Sequence, residues 1–186
     1  MPLPPPPEHL REEVDSVLIG EKEIAVRVRE LAADIERDFI KKDLLVVALL
    51  TGTVPFLADL IRHITLPLKL DFMGVSSYGN NTVPGELVFT KELRLEVKNR
   101  NVLLVDDILD TGKTLRAVID KLNALEPASL KTCILLEKKS RRTEQIAADY
   151  IGFEVPNAFV VGYGLDYAER YRNLPFIGIL KPEVYT

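Results

Sequence analysis

Val102-Leu103-Leu104-Val105 is an apolar run that passes directly into Asp106 and Asp107, then through Ile108 and Leu109 into Asp110-Thr111-Gly112-Lys113-Thr114. After it Leu115, Val118, Ile119 and Leu122 recur at helical spacing, which predicts a helix over 111–125. A buried strand that enters a helix through a short polar turn is the repeating unit of a parallel α/β sheet. The turn is also restricted chemically. Backbone N–H groups at a helix start point outward with partial positive charge, a glycine lets the backbone approach a ligand, and Thr111 and Thr114 add hydroxyl donors. Together these make a phosphate cradle. Gly112-Lys113-Thr114 superficially suggests a nucleoside-triphosphate loop. That loop needs a glycine five residues before Gly112, where this chain has Asp107. Acids ahead of a phosphate cradle suit a ligand that also carries hydroxyls, and Asp106 and Asp107 can accept from a ribose diol. A phosphate next to a diol is a ribose 5-phosphate. The competing account is a capped helix after a strand, with the acids merely solvated.

The rest of the chain extends the α/β pattern. Ile24, Val28, Leu31, Ile35 and Phe39 mark an amphipathic helix, and Leu44–Leu50 is a continuous apolar run suited to a buried parallel strand. Pro55 opens a second helix with Phe56, Leu57, Leu60 and Ile61 on its apolar face. Leu68, Leu70 and Phe72 alternate as a strand, and further strands are expected at 130–136, 159–161 and 176–180. Ser76 to Gly85 has no core pattern and is expected to be a long mobile loop. In such sheets ligands bind beyond the carboxyl ends of the strands.

The length of 186 residues favours one domain, with 1–8 a flexible proline-rich tail and 9–186 the domain itself. A net charge of −4 leaves no basic footprint for nucleic acid. No apolar stretch is long enough to span a bilayer and no signal peptide is read, so a cytoplasmic protein is expected. The single Cys133 lies in the apolar run Cys133-Ile134-Leu135-Leu136 and is expected to be a buried strand residue. His9, in the tail, and His63, near a helix end, receive no catalytic role.

The stretch from Val102 to Thr114 resembles the phosphoribosyl-pyrophosphate motif of type I phosphoribosyltransferases. Asp149 to Pro156, Phe159-Val160-Val161-Gly162-Tyr163-Gly164-Leu165-Asp166-Tyr167, and Tyr171-Arg172-Asn173-Leu174-Pro175 resemble the corresponding segments of bacterial-type hypoxanthine-guanine phosphoribosyltransferases. So do Pro182-Glu183-Val184-Tyr185 near the C-terminus and Asp71 to Gly79, which is similar to that family's mobile catalytic loop. The resemblance implies a mainly parallel, twisted core sheet flanked by helices, with a small hood built from both chain ends. It implies purine salvage, in which hypoxanthine or guanine (6-oxopurine bases) reacts with phosphoribosyl pyrophosphate to give the purine nucleoside monophosphate and pyrophosphate. It also implies Mg²⁺ as cofactor and a homodimer or homotetramer.

The roles it implies are these. Asp106 and Asp107 bind the ribose hydroxyls, Asp110 sits by purine N7 and acts as general base or stabilises the proton there, and Thr111, Gly112, Lys113 and Thr114 hold the 5′-phosphate. Phe159 stacks on the base, and the Val160 backbone meets its edge. Lys138, just after a strand at the ligand-binding edge of the sheet, pairs with the position-6 oxygen; Lys139 and Arg141 are read as solvated. Asp166 anchors a Mg²⁺ through water, and Asp106 and Asp107 approach a second one through the ribose. Thr51 and Gly52, within the Leu50–Thr53 turn, and Arg172 hold pyrophosphate. Ser77 and Tyr78 close over the reaction. The family also implies a cis peptide between Leu50 and Thr51. Two departures stand out: Asp106-Asp107 where many members have Glu-Asp, and Thr51 where a lysine is common. The alternatives are a xanthine-preferring transferase and a non-catalytic phosphoribosyl-pyrophosphate sensor on the same fold.

Overall fold

The structure, a computed structural model, describes residues 3–77 and 87–185. Two sheets are present among them. The larger runs in the order β4 (Leu87–Lys91), β3 (Leu68–Ser77), β2 (Leu44–Leu50), β5 (Asn101–Leu109), β6 (Ser129–Glu137), β7 (Tyr150–Glu154). Every neighbouring pair is parallel except β3 with β4.

β2 lies between β3 and β5 and is covered on both faces, which is why its sequence is apolar throughout. Its side chains divide by parity. Leu44, Val46 and Ala48 pack in the core under α1 (Glu21–Phe39) and α2 (Val54–Arg62). Leu45, Val47 and Leu49 pack in the core under α3 (Lys113–Asn123), with Leu115, Val118 and Leu122. Phe39, Phe56, Leu60 and Leu104 are fully buried, and each such side chain contributes roughly 1.5–3 kcal/mol.

The second sheet is antiparallel, in the order β1 (Val14–Ile19), β9 (Ile177–Leu180), β8 (Val160–Val161). It joins the two ends of the chain, as the expected hood does. The short helix α4 (Pro182–Tyr185) follows it, and Leu10, Phe159, Tyr167 and Tyr185 pack against its core. Before β1, the Pro4 carbonyl accepts a 2.9 Å bond from Val17 N–H, and Pro6 is buried. Residues 3–8, expected to be loose, are therefore tied to the hood.

Some boundaries differ from expectation. The strand containing Val102–Val105 continues to Leu109, so Asp106 and Asp107 are strand residues. The helix begins at Lys113 because Gly112 has φ +91°, a left-handed conformation that keeps Thr111 and Gly112 in the turn. β1, β4 and β7 were not expected. β1 pairs with β9 through two register irregularities, which remove the simple alternation a strand would show in sequence. Tyr78 and residues 79–85 of the expected loop lie outside the described residues, while Ser76 and Ser77 end β3. Cys133 is buried in β6, where loss of solvation pushes its thiol well above the usual range.

Candidate active site

The parallel strands β2, β5 and β6 end at Leu50, Leu109 and Glu137, and the candidate residues gather beyond those ends. Asp106 is 9% exposed. Its Oδ1 accepts from Thr53 Oγ1 at 3.3 Å and from Asp107 N–H at 3.0 Å. Burial drives the Asp106 carboxyl well above the ordinary carboxylate range, and the neighbouring Asp107 pushes it further. Burial raises Asp107 too, while Asp106 and Arg172 pull it back. Two adjacent desolvated carboxyls cannot both ionise cheaply, and a cation or hydroxyl donors would offset that cost.

Thr111 and Gly112 form the turn into α3, and Thr114 stands in its first turn. The Thr111 carbonyl accepts from Thr143 N–H at 3.0 Å and from Glu144 N–H at 3.1 Å, which pins the turn to the segment after β6. With Asp106, Leu109 and Asp110, these residues line a cavity of about 170 Å³. Lys113 is exposed at the helix start.

A second cavity of about 250 Å³ shares Asp110 and is also lined by Asp107, Lys138, Arg141, Phe159, Val160, Leu165 and Asp166. Lys138 is 6% exposed and its ammonium makes no side-chain hydrogen bond among the described residues. Burial lowers its pKa, against the attraction of Asp110 and with the repulsion of Arg141. Tyr185 stacks on Phe159 at 4.8 Å and Tyr167 meets it edge-on at 5.5 Å. Neither tyrosine lines the cavity, so both support the ring from behind.

The Leu50–Thr51 peptide is cis. Thr51 is exposed and Gly52 is buried. A Cβ on Gly52 would lie 1.8 Å from Asp107 Oδ2, and one on Gly164 would lie 1.8 Å from the Gly52 carbonyl oxygen. Only glycines permit this approach of the turn to the carboxylate and to the loop after β8, and Gly164 also has φ +102°. Arg172 Nη1 donates to the Gly164 carbonyl at 2.9 Å, and its Nη2 pairs with Asp166 Oδ1 at 3.0 Å and Glu169 Oε2 at 3.1 Å. Asp166 Oδ2 accepts from Glu169 N–H at 3.0 Å. Arg172 and Asp166 thus meet each other at the rim of the site.

Three contributors were missed from sequence. Arg141, read as solvated, lines the second cavity and pairs with Asp110 Oδ2 at 3.2 Å. Arg142 is half-buried, with Nη2 on Glu137 at 2.9 Å and Nε on the Asp110 carbonyl at 3.3 Å, and so braces the end of β5. Thr53, 1% exposed, orients Asp106. No local pattern separates Arg141 and Arg142 from Lys139, which is solvated as expected and pairs with Glu154 at 2.6 Å.

Comparison with known proteins identifies the family. The sequence profile of the phosphoribosyl transferase domain family matches residues 16–168. The hypoxanthine-guanine phosphoribosyltransferase of Bacillus subtilis is 49% identical over 95% of this chain and 98% of its own. That of Streptococcus mutans is 43% identical over 95% and 99%. A crystal structure of a Staphylococcus aureus hypoxanthine phosphoribosyltransferase superposes with a TM-score of 0.91 at 43% identity, covering 96% of this chain and 98% of that one. With the profile spanning both parts of the candidate site and the identity running nearly end to end, the chain belongs to the hypoxanthine-guanine phosphoribosyltransferase family.

Proposed function

We propose that this chain is a purine salvage enzyme that converts hypoxanthine or guanine and phosphoribosyl pyrophosphate to the nucleoside monophosphate and pyrophosphate. One observation carries the reading: Asp110 borders both the small cavity at the Thr111–Thr114 turn and the larger one containing Lys138, Phe159 and Val160. A sugar phosphate in the first and a purine in the second would meet at Asp110.

In this reading the turn N–H groups and the Thr111 and Thr114 hydroxyls hold the 5′-phosphate, and Lys113 adds charge. Asp106 and Asp107 accept from the ribose hydroxyls, which offsets the cost of their burial. Asp110 takes the proton from purine N7 as the glycosidic bond forms. Phe159, supported by Tyr185, stacks on the base, Val160 borders its edge, and Lys138 donates to the position-6 oxygen. Thr51 and Gly52 present backbone to pyrophosphate, and Arg172 supplies charge there. Ser77 and Tyr78 exclude water that would otherwise hydrolyse the activated sugar.

The donor set fits Mg²⁺. Among the described residues Asp106 has no cation beside it, and Asp166, whose two oxygens each hold one partner, keeps lone pairs for contact through water. Bound Mg²⁺ would neutralise the departing pyrophosphate. Among the described residues no helix is long and apolar enough to cross a membrane, and we place the enzyme in the cytoplasm as a homodimer or homotetramer.

The test is phosphoribosyl pyrophosphate and Mg²⁺ with hypoxanthine, guanine, xanthine and adenine in turn, followed by separation of the products. Inosine and guanosine monophosphates are expected as the main products. Xanthosine monophosphate in excess would make this the xanthine-preferring enzyme, and no nucleotide with any base would support the sensor.

A further inference from the structure

Asp110 has one oxygen that a ligand can reach, and a neighbouring cation already holds it. Oδ1 is sealed from solvent and has no hydrogen-bond partner. The side chain as a whole is 31% exposed, so its accessible part is on the Oδ2 side, and Oδ2 lies 3.2 Å from Arg141 Nη1. Arg141 lines the same cavity as Lys138, Phe159 and Val160. Its neighbours are tied to the end of β5: Lys138 N–H bonds the Leu109 carbonyl at 3.0 Å, and Arg142 Nε bonds the Asp110 carbonyl at 3.3 Å. Its side chain is free to swing, being 52% exposed with no other ion pair among the described residues.

We infer that Arg141 competes with the purine at the base site: its guanidinium occupies the reachable oxygen of Asp110 until a purine N–H donor displaces it. The inference rests on the assignment of Asp110 to the purine proton. An N–H at the imidazole edge of the base and the guanidinium are donors of the same kind competing for one acceptor. While Arg141 holds Oδ2, the carboxylate keeps its place at the mouth of the cavity. When the base arrives, the ion pair opens, no atom is transferred, and the cation moves toward solvent. Arg142 cannot play this part, because its guanidinium is half-buried on Glu137 and the Ile146 carbonyl. Lys138 lies within electrostatic range of Asp110 but makes no hydrogen bond to it.

The experiment is Arg141→Gln, alone and combined with Asp110→Asn, with kcat/KM measured for hypoxanthine at saturating phosphoribosyl pyrophosphate. An ion pair this exposed competes weakly, so removing it should raise kcat/KM for hypoxanthine about two- to fivefold. KM for phosphoribosyl pyrophosphate should not change, and Arg141→Lys should remain close to the parent. In the Asp110→Asn background, Arg141→Gln should have no effect, because the acceptor has lost its charge. An unchanged or lower kcat/KM in Arg141→Gln overturns the inference, and so does an equal gain in the Asn background. Near-normal turnover in Asp110→Asn alone would instead refute the role of Asp110. Thermal unfolding of each variant identifies a change that comes from loss of fold.

Discussion

Replacing Lys138 with methionine tests the reading of the base pocket most directly, because its effects on activity and stability should have opposite signs. Lys138 is 6% exposed and forms no side-chain hydrogen bond among the described residues, and burial holds its ammonium below the ordinary lysine range. Partial desolvation of a cation that has no hydrogen-bonding partner costs stability. Methionine keeps the unbranched stem and removes the charge. If the ammonium donates to a 6-oxo group, the loss is that of a hydrogen bond involving a charged group, about 1.5–3 kcal/mol. At 1.4 kcal/mol per factor of ten this is roughly a 10- to 150-fold fall in kcat/KM for hypoxanthine. Adenine presents an amino group there and gains nothing from lysine, so its kcat/KM should fall much less and the preference for hypoxanthine should shrink. Stability should move the other way. A lysine whose folded pKa is depressed penalises folding below that pKa, and the penalty fades as pH rises toward the unfolded value near 10.4. The variant should therefore unfold at a higher temperature than the parent at pH 7, with the gap narrowing toward pH 10. The assays are initial rates with both bases and calorimetry across that range. An unchanged hypoxanthine-to-adenine ratio would remove Lys138 from the site whatever the calorimetry shows.

Asp110→Asn should lower kcat on the order of 10²–10⁴-fold with little change in phosphoribosyl-pyrophosphate binding, and a near-normal kcat would refute its role as base. Asp106→Asn should weaken phosphoribosyl-pyrophosphate binding, read by calorimetric titration, while stabilising the fold. The parent's raised carboxyl pKa means that the folded state keeps a proton the unfolded chain releases, so its stability falls as pH rises through the folded value. The variant's advantage should thus be present at pH 7 and vanish near pH 4, and its absence at pH 7 would contradict the strained pair. Gly164→Ala combines a positive φ with a Cβ 1.8 Å from the Gly52 carbonyl oxygen. It should cost about 2 kcal/mol or more in denaturant unfolding and reduce turnover; an unchanged unfolding midpoint would show that the two loops can separate freely.

Much of the large sheet was readable because its strands are buried on both faces and its helices are amphipathic. Leu44–Leu50 and the stripe from Ile24 to Phe39 have no other good solution. The hood was harder to see. β8 has two residues and β1 is irregular, so neither carries a period; a strand was expected at 159–161, but β1 was not seen. Within the site, the strand–turn–helix signature brought Asp106 through Thr114 together because they are contiguous. Arg141 is exposed, as read, but its pairing with Asp110 was not foreseen, because a basic cluster looks the same in sequence whether or not its cations reach a carboxylate more than 30 residues away. Only the parallel pairing of β5 with β6, which brings their C-terminal ends side by side, puts the two residues together.

On the assignment of the two cavities proposed above, the approach of Gly52 to Gly164 acts as a mechanical gauge between the sugar side and the base side of the enzyme. Two backbones in contact, with no side chain between them, leave no compliant part to absorb a displacement. Tilting the hood would press Gly164 on Gly52, and Gly52 on the Asp107 carboxylate. The spacing between the ribose and the base wall would then be set by main-chain thickness, which substitutions outside the two glycines do not alter. Base preference can then drift through residues such as Lys138 and Phe159 without moving the anomeric carbon out of line, and a redesign for an unnatural purine should reshape that wall and leave both glycines in place.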